Sequence, residues 1–125
     1  MKKIKQNFDY LLYIVIIYQI VQALNVMADK EIAHRDIKPE NIFIHNGIYK
    51  IGDFGFASQK KLFGTTLGTY PYMAPEIFQN KEYSNKVDIW AVGVMLHEMI
   101  FGELFFIGNS HMEVANNVQK KKYEI

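Results

Sequence analysis

His34-Arg35-Asp36-Ile37-Lys38-Pro39-Glu40-Asn41 sets an acid, a base and an amide close together on one short polar stretch. Asp36 has the chemistry to accept a proton from a hydroxyl nucleophile, Lys38 to hold a phosphate, and Asn41 to offer an amide oxygen to a hard cation such as Mg2+. Downstream, Asp53-Phe54-Gly55 supplies a second, fully charged oxygen ligand. A metal beside a base points to phosphoryl transfer.

Two further runs extend the pattern. Gly68-Thr69-Tyr70-Pro71-Tyr72-Met73-Ala74-Pro75-Glu76 ends in Ala-Pro-Glu, and Asp88-Ile89-Trp90-Ala91-Val92-Gly93 follows. Together the four motifs resemble the H-R-D-L-x-x-x-N, D-F-G, A-P-E and D-x-W-x-x-G signatures of the protein kinases, with Ile37 for Leu as the one departure. The resemblance implies an α+β, mainly helical fold: the large C-terminal lobe of a protein kinase with a small β-hairpin. A kinase catalytic domain has two lobes. Upstream of Asn7 there is no room for a G-x-G-x-x-G loop, a V-A-I-K lysine or its partner Glu, so the expectation is a lobe without its N-terminal companion and with a truncated C-terminal part.

Composition agrees with a folded domain. The 125 residues are 50% hydrophobic and 14% aromatic, and a formal charge of +1 from 14 basic and 13 acidic residues gives no global field for nucleic acid or an anionic membrane. Absence of cysteine excludes a disulfide framework and thiolate metal sites. Cytosol or nucleus is the default location.

The N-terminal lysines and the apolar run Tyr10 to Leu24 imitate a secretory signal or anchor. Asp9, Gln19, Gln22 and Asn25 interrupt that run, no cleavage pair is evident, and Tyr10 to Tyr18 is too short to span a bilayer. A core helix over about 8–28 is the preferred reading, with Leu12, Ile16, Ile20, Ala23, Leu24 and Met27 on its inner face and the amides opposite. Asp29-Lys30 is then a turn. Ile42-Phe43-Ile44, the Asn46-Gly47 turn signal and Ile48-Tyr49-Lys50-Ile51 predict a hairpin over 42–51. It is expected to hold Asn41 and Asp53 at opposite ends of two paired strands, facing one metal site. Residues 53–76 read as a mobile loop, and Ile89, Val92, Leu96 and Ile100 mark a helix over about 87–101, closed by Gly102. A weaker helical pattern runs from Met112 to Lys120, and Lys120-Lys121-Lys122 reads as a solvated helix end.

The resemblance assigns roles. Asp36 is the catalytic base on the 34–41 loop, Lys38 and Thr69 assist it, and Asn41 and Asp53 hold Mg2+. Lys38, Asn41, Phe43 and Asp53 serve ATP, with Phe43 under the adenine. Residues 53–76 become the activation segment, with Thr65 as phosphosite, Thr66 as its near alternative, and Arg35 as the phosphate's partner. Lys38 with Thr69 implies serine/threonine specificity, and Phe56 leans towards serine. Glu40 and Glu98 match positions that bind an upstream Arg of a protein substrate. His34, Phe54, Gly55, Glu76, Asp88 and Trp90 are structural; the family pairs the Glu76 position with an Arg far downstream, and no such Arg follows in this sequence. Two functions compete: a serine/threonine kinase lobe completed by an N-lobe, in cis or from another chain, and a non-catalytic kinase-like binding module or inactive truncated product.

Overall fold

Helix α1 runs Lys2–Asp29 and strand β1 is Ile32–Ala33. β2 (Ile42–His45) and β3 (Ile48–Ile51) come next, then β4 (Ser58–Gln59), α2 (Pro75–Phe78), α3 (Val87–Phe101) and α4 (His111–Lys120). This computed structural model describes residues 2–106, 108 and 110–120. Lys121 and Lys122 of the expected solvated helix end lie outside the described residues.

The central packing is between α1 and α3. Ile20 and Leu24 meet Ala91, Val92, Val94 and Met95, and Phe106, Val114 and Val118 close the same cluster. The helix expected over about 8–28 starts earlier, and its faces differ from the expectation in two places. Leu12 is exposed, whereas Gln19 faces inward and accepts the Tyr49 backbone N–H at 2.8 Å. That bond satisfies a β3 donor, which explains an amide on the inner side. The polar interruptions also fail to exclude a membrane span on hydropathy: Asp9–Asp29 is long and apolar enough by length and composition. Ile20 is fully buried on α3, while Leu11, Ile14 and Tyr18 leave the outer face bare.

α3 likewise occupies its expected span with a different buried stripe. Val87, Asp88, Ala91, Val92, Val94 and Met95 are buried, and Ile89 is 54% exposed. The helix is apolar nearly all round, so spacing alone selects a stripe rotated by one residue. Gly102, at φ 73°, ends it in the left-handed conformation and donates its N–H to Glu98 O at 2.8 Å.

The hairpin pairs Ile42 with Ile51 and His45 with Ile48 around Asn46 and Gly47, both at positive φ. Two such residues form the turn whose twist matches the strands. Because the strands are antiparallel, Asn41 and Asp53 flank the same open end rather than opposite ends, and Gly52 N–H donates to Asn41 O at 2.8 Å. Residues 53–76, read as a mobile loop, make contacts with the rest of the fold at several points. β4 pairs with β1, Phe63 and Tyr83 exchange backbone bonds of 2.7 and 2.9 Å, and Met73 and Ala74 are buried. These contacts are long in range and short in length, so no local periodicity announces them.

Candidate active site

The 34–41 loop is suspended from α3. Asp88, 3% exposed, accepts the backbone N–H of His34 at 2.8 Å and of Arg35 at 2.9 Å. Burial pushes its carboxyl above the usual carboxylate range, with those two bonds acting in the opposite direction. His34 is fully buried and ties the loop to the open end of the hairpin: its Nδ1 accepts the Asp36 N–H at 3.1 Å, and its Nε2 lies 2.8 Å from Gly52 O. An acceptor at Nδ1 and a donor at Nε2 specify one neutral tautomer. Phe54 meets the His34 ring edge-on at 5.0 Å between centroids.

Above this support the polar side chains converge. Asp36 Oδ1 accepts the Thr69 hydroxyl at 2.7 Å, and Thr69 in turn accepts Lys38 Nζ at 2.8 Å. Lys38 Nζ lies 3.8 Å from the other Asp36 oxygen. Asn41 donates its amide nitrogen to Asp36 O at 2.8 Å and to Oδ2 at 3.2 Å. Its amide nitrogen is thereby committed to Asp36, which leaves the amide oxygen to serve a cation. Gly68 lets Thr69 reach this position: its φ is 129°, and a Cβ there would lie 2.7 Å from Arg35 O.

Asp53, at φ 50°, is exposed, and its Oδ1 accepts the Gly55 N–H at 3.3 Å. Among the described residues no group of three or more His, Cys, Asp or Glu could enclose a metal. One amide and one carboxylate suit Mg2+, which keeps waters and takes its other oxygens from phosphates. Phe43 is 53% exposed on β2, and its ring lies across Gly52, where an added Cβ would fall 2.4 Å from the ring.

The remaining predicted residues sit around this centre. Thr65 and Thr66 are exposed. Arg35, at φ 70°, donates Nε–H to Phe56 O at 2.9 Å and packs its guanidinium 4.8 Å from the Phe63 ring centroid. Glu98 accepts the Tyr72 hydroxyl, and burial followed by the charges of Glu98 and Glu40 raises the Tyr72 phenol pKa. Of the two glutamates, Glu98 is the one bonded to this hydroxyl. Glu76 lies in the first turn of α2, and Trp90 is half-buried, stacked on Phe106 at 5.7 Å. An apolar cavity of about 320 Å3, lined by Trp90, Gly93, Val94, His97, Phe105 and Phe106, lies apart from these polar groups.

Sequence reasoning passed over Tyr72, Tyr83, Gly52 and Gly68. The glycine beside Thr69 was a usable signal. Nothing near Tyr83 in sequence betrays its hydroxyl's partners.

A family model described as protein kinase domain matches residues 3–125, α1 included. The chain is 40% identical over 114 residues to serine/threonine-protein kinase atg1 of Dictyostelium discoideum, covering 86% of this chain and 17% of that protein. It is 36% identical over 107 residues to serine/threonine-protein kinase ATG1a of Arabidopsis thaliana, covering 80% and 17%. An Aurora kinase of Candida glabrata is 40% identical over 118 residues, covering 87% and 32%. The chain thus spans less than a third of the length of these relatives.

Proposed function

The chain belongs to the protein kinase domain family, and from that premise we propose that it contributes the catalytic lobe of an enzyme transferring the γ-phosphoryl group of ATP to serine and threonine hydroxyls of proteins. The observation that carries this reading is the Thr69 hydroxyl 2.7 Å from Asp36 Oδ1, with Lys38 Nζ donating to the Thr69 hydroxyl oxygen at 2.8 Å. It is a working likeness of an alcohol presented to a base beside a phosphate-binding cation.

In this mechanism Asp36 orients the acceptor hydroxyl and takes its proton as the new P–O bond forms. Lys38 donates to the oxygens of the transferring group, and Thr69 keeps the lysine and the carboxylate in register. Asn41 and Asp53 would hold Mg2+, which, when bound with ATP, draws off charge from the phosphate oxygens. The bare face of the Phe43 ring would carry the adenine. Positioning supplies much of such a rate, so an N-terminal lobe, in cis or from another chain, completes the site. The exposed Leu11, Ile14, Tyr18 and Phe101 leave apolar surface for further protein to cover.

Incubation of the native protein with ATP, Mg2+ and protein substrates, followed by mass spectrometric mapping, is expected to show phosphate on serine and threonine. Thr65 is expected among the modified positions, with Thr66 as its alternative. Transfer to none of these would leave the non-catalytic binding module as the function.

The substrate side of the proposal places an arginine upstream of the acceptor against Glu40 and Glu98, carboxylates suited to pairing a guanidinium. A peptide array is expected to favour upstream Arg, with the preference falling at least about tenfold in Glu98→Gln. Equal phosphorylation of peptides with and without Arg would remove this assignment.

A further inference from the structure

Arg35 does not stand ready and empty. Its Nη1 donates to the Tyr83 hydroxyl at 3.4 Å, and that hydroxyl donates to the backbone carbonyl of Thr65. Tyr83 is 3% exposed and stacks on Phe63 at 5.7 Å, while the Arg35 guanidinium covers the other ring of the pair. A phenol has one proton to give and lone pairs to accept with, so this one oxygen links the Arg35 cation to the Thr65 carbonyl.

The geometry points to Tyr83 as a positioning residue: its hydroxyl docks the unmodified segment at Thr65 onto Arg35, standing where a phosphate on Thr65 would otherwise make the link. Modification of Thr65 then transfers the guanidinium from Tyr83 to the phosphate, because a charge-assisted bond to a dianion is stronger than one to a neutral phenol. The inference rests on reading residues 53–76 as an activation segment and adds the group that holds that segment before modification. Tyr83 lies outside this segment, seven residues past Glu76 and just before α3.

The test is backbone amide exchange in the native protein, without nucleotide, comparing Tyr83 with Tyr83→Phe. The phenyl ring keeps the stack on Phe63, so only the hydroxyl is lost. Exchange at the Phe63 amide is expected to rise about five- to tenfold, the effect of one neutral hydrogen bond, with α3 amides unchanged. Unchanged exchange at Phe63, or an equal rise throughout α3, would overturn the proposal. With phosphothreonine installed at position 65, the same substitution is expected to change Phe63 exchange less than about twofold. A full-sized effect there would mean that Tyr83 is ordinary packing, and the exchange of partners would be wrong. Should Tyr83→Phe not fold, Arg35→Lys removes the guanidinium donor while keeping charge, and no rise at Phe63 in that variant would equally sink the idea. Since no step of this readout needs phosphoryl transfer, its failure is separable from failure of the kinase reading, which Asp36→Asn tests.

Discussion

Asp36→Asn is expected to reduce phosphoryl transfer by the native protein by at least about 10²-fold, with the melting temperature within a few degrees of the parent. The side chains around Asp36 give the reason. Its two oxygens accept from two donors, Thr69 on Oδ1 and Asn41 on Oδ2, and Lys38 lies 3.8 Å away as an ion-pair partner. An asparagine must turn its oxygen to one side and its NH2 to the other. If the NH2 faces Asn41, two amide donors meet. If it faces Thr69, the hydroxyl receives a second donor besides Lys38 and loses the acceptor for its own proton. Neither arrangement retains a base, and each disturbs the lysine. Since the site is only part-buried, water can satisfy the displaced donors, which is why stability is largely spared while the rate is not. Comparing kcat with KM for ATP separates the roles: loss confined to kcat marks a group acting in the transition state. An Asp36→Asn protein with undiminished kcat would remove Asp36 from the chemistry and, with it, the proposed mechanism.

The parts of this site that could be read from sequence are those whose chemistry is local. Asp36, Lys38 and Asn41 lie on one loop, and the hairpin that follows has a turn signal and alternation that fix its register within ten residues. α1 and α3 were legible as helices because their apolar content runs through several turns. Which side of α3 is buried was not, because a helix apolar nearly all round has no preferred face until a neighbour provides one. Gln19 shows the same limit from the other direction: an amide reads as solvent-facing until an unpaired strand N–H needs it. The anchoring of residues 53–76 was illegible for a third reason. β4 has two residues, and Phe63 and Tyr83 meet in a single bridge, so the information lies in pairings between distant segments. Thr69 was assigned through its neighbours in the motif, and Gly68 beside it was a usable signal whose reason, the close approach to the Arg35 carbonyl, lies in the fold.

Asp88→Ala is expected to destabilise the fold by about 2–4 kcal/mol, measured by denaturant unfolding at neutral pH, because two N–H groups held in the core lose their acceptor together. His34 N–H and Arg35 N–H both end on this one carboxylate, and the methyl group left behind offers them nothing. Asp88→Asn should cost less, since an amide oxygen still accepts one of the bonds while its NH2 opposes the other donor. The pH dependence follows from the same burial. Desolvation raises the folded-state pKa of Asp88 above the ordinary 3.8, so at acid pH the native state holds a proton more firmly than the unfolded chain does. The Asp88 contribution is therefore fully present below the unfolded value and is lost as pH rises through the folded one. This runs against the usual direction for a carboxylate that accepts hydrogen bonds, and it makes the two substitutions distinguishable from a general packing defect. The difference in unfolding free energy between the parent and Asp88→Asn should narrow as pH increases from below 3.8 through the raised folded value. A difference that widens over that interval would show the two backbone bonds outweighing desolvation, and the carboxylate would then favour, not oppose, its own charge inside the fold.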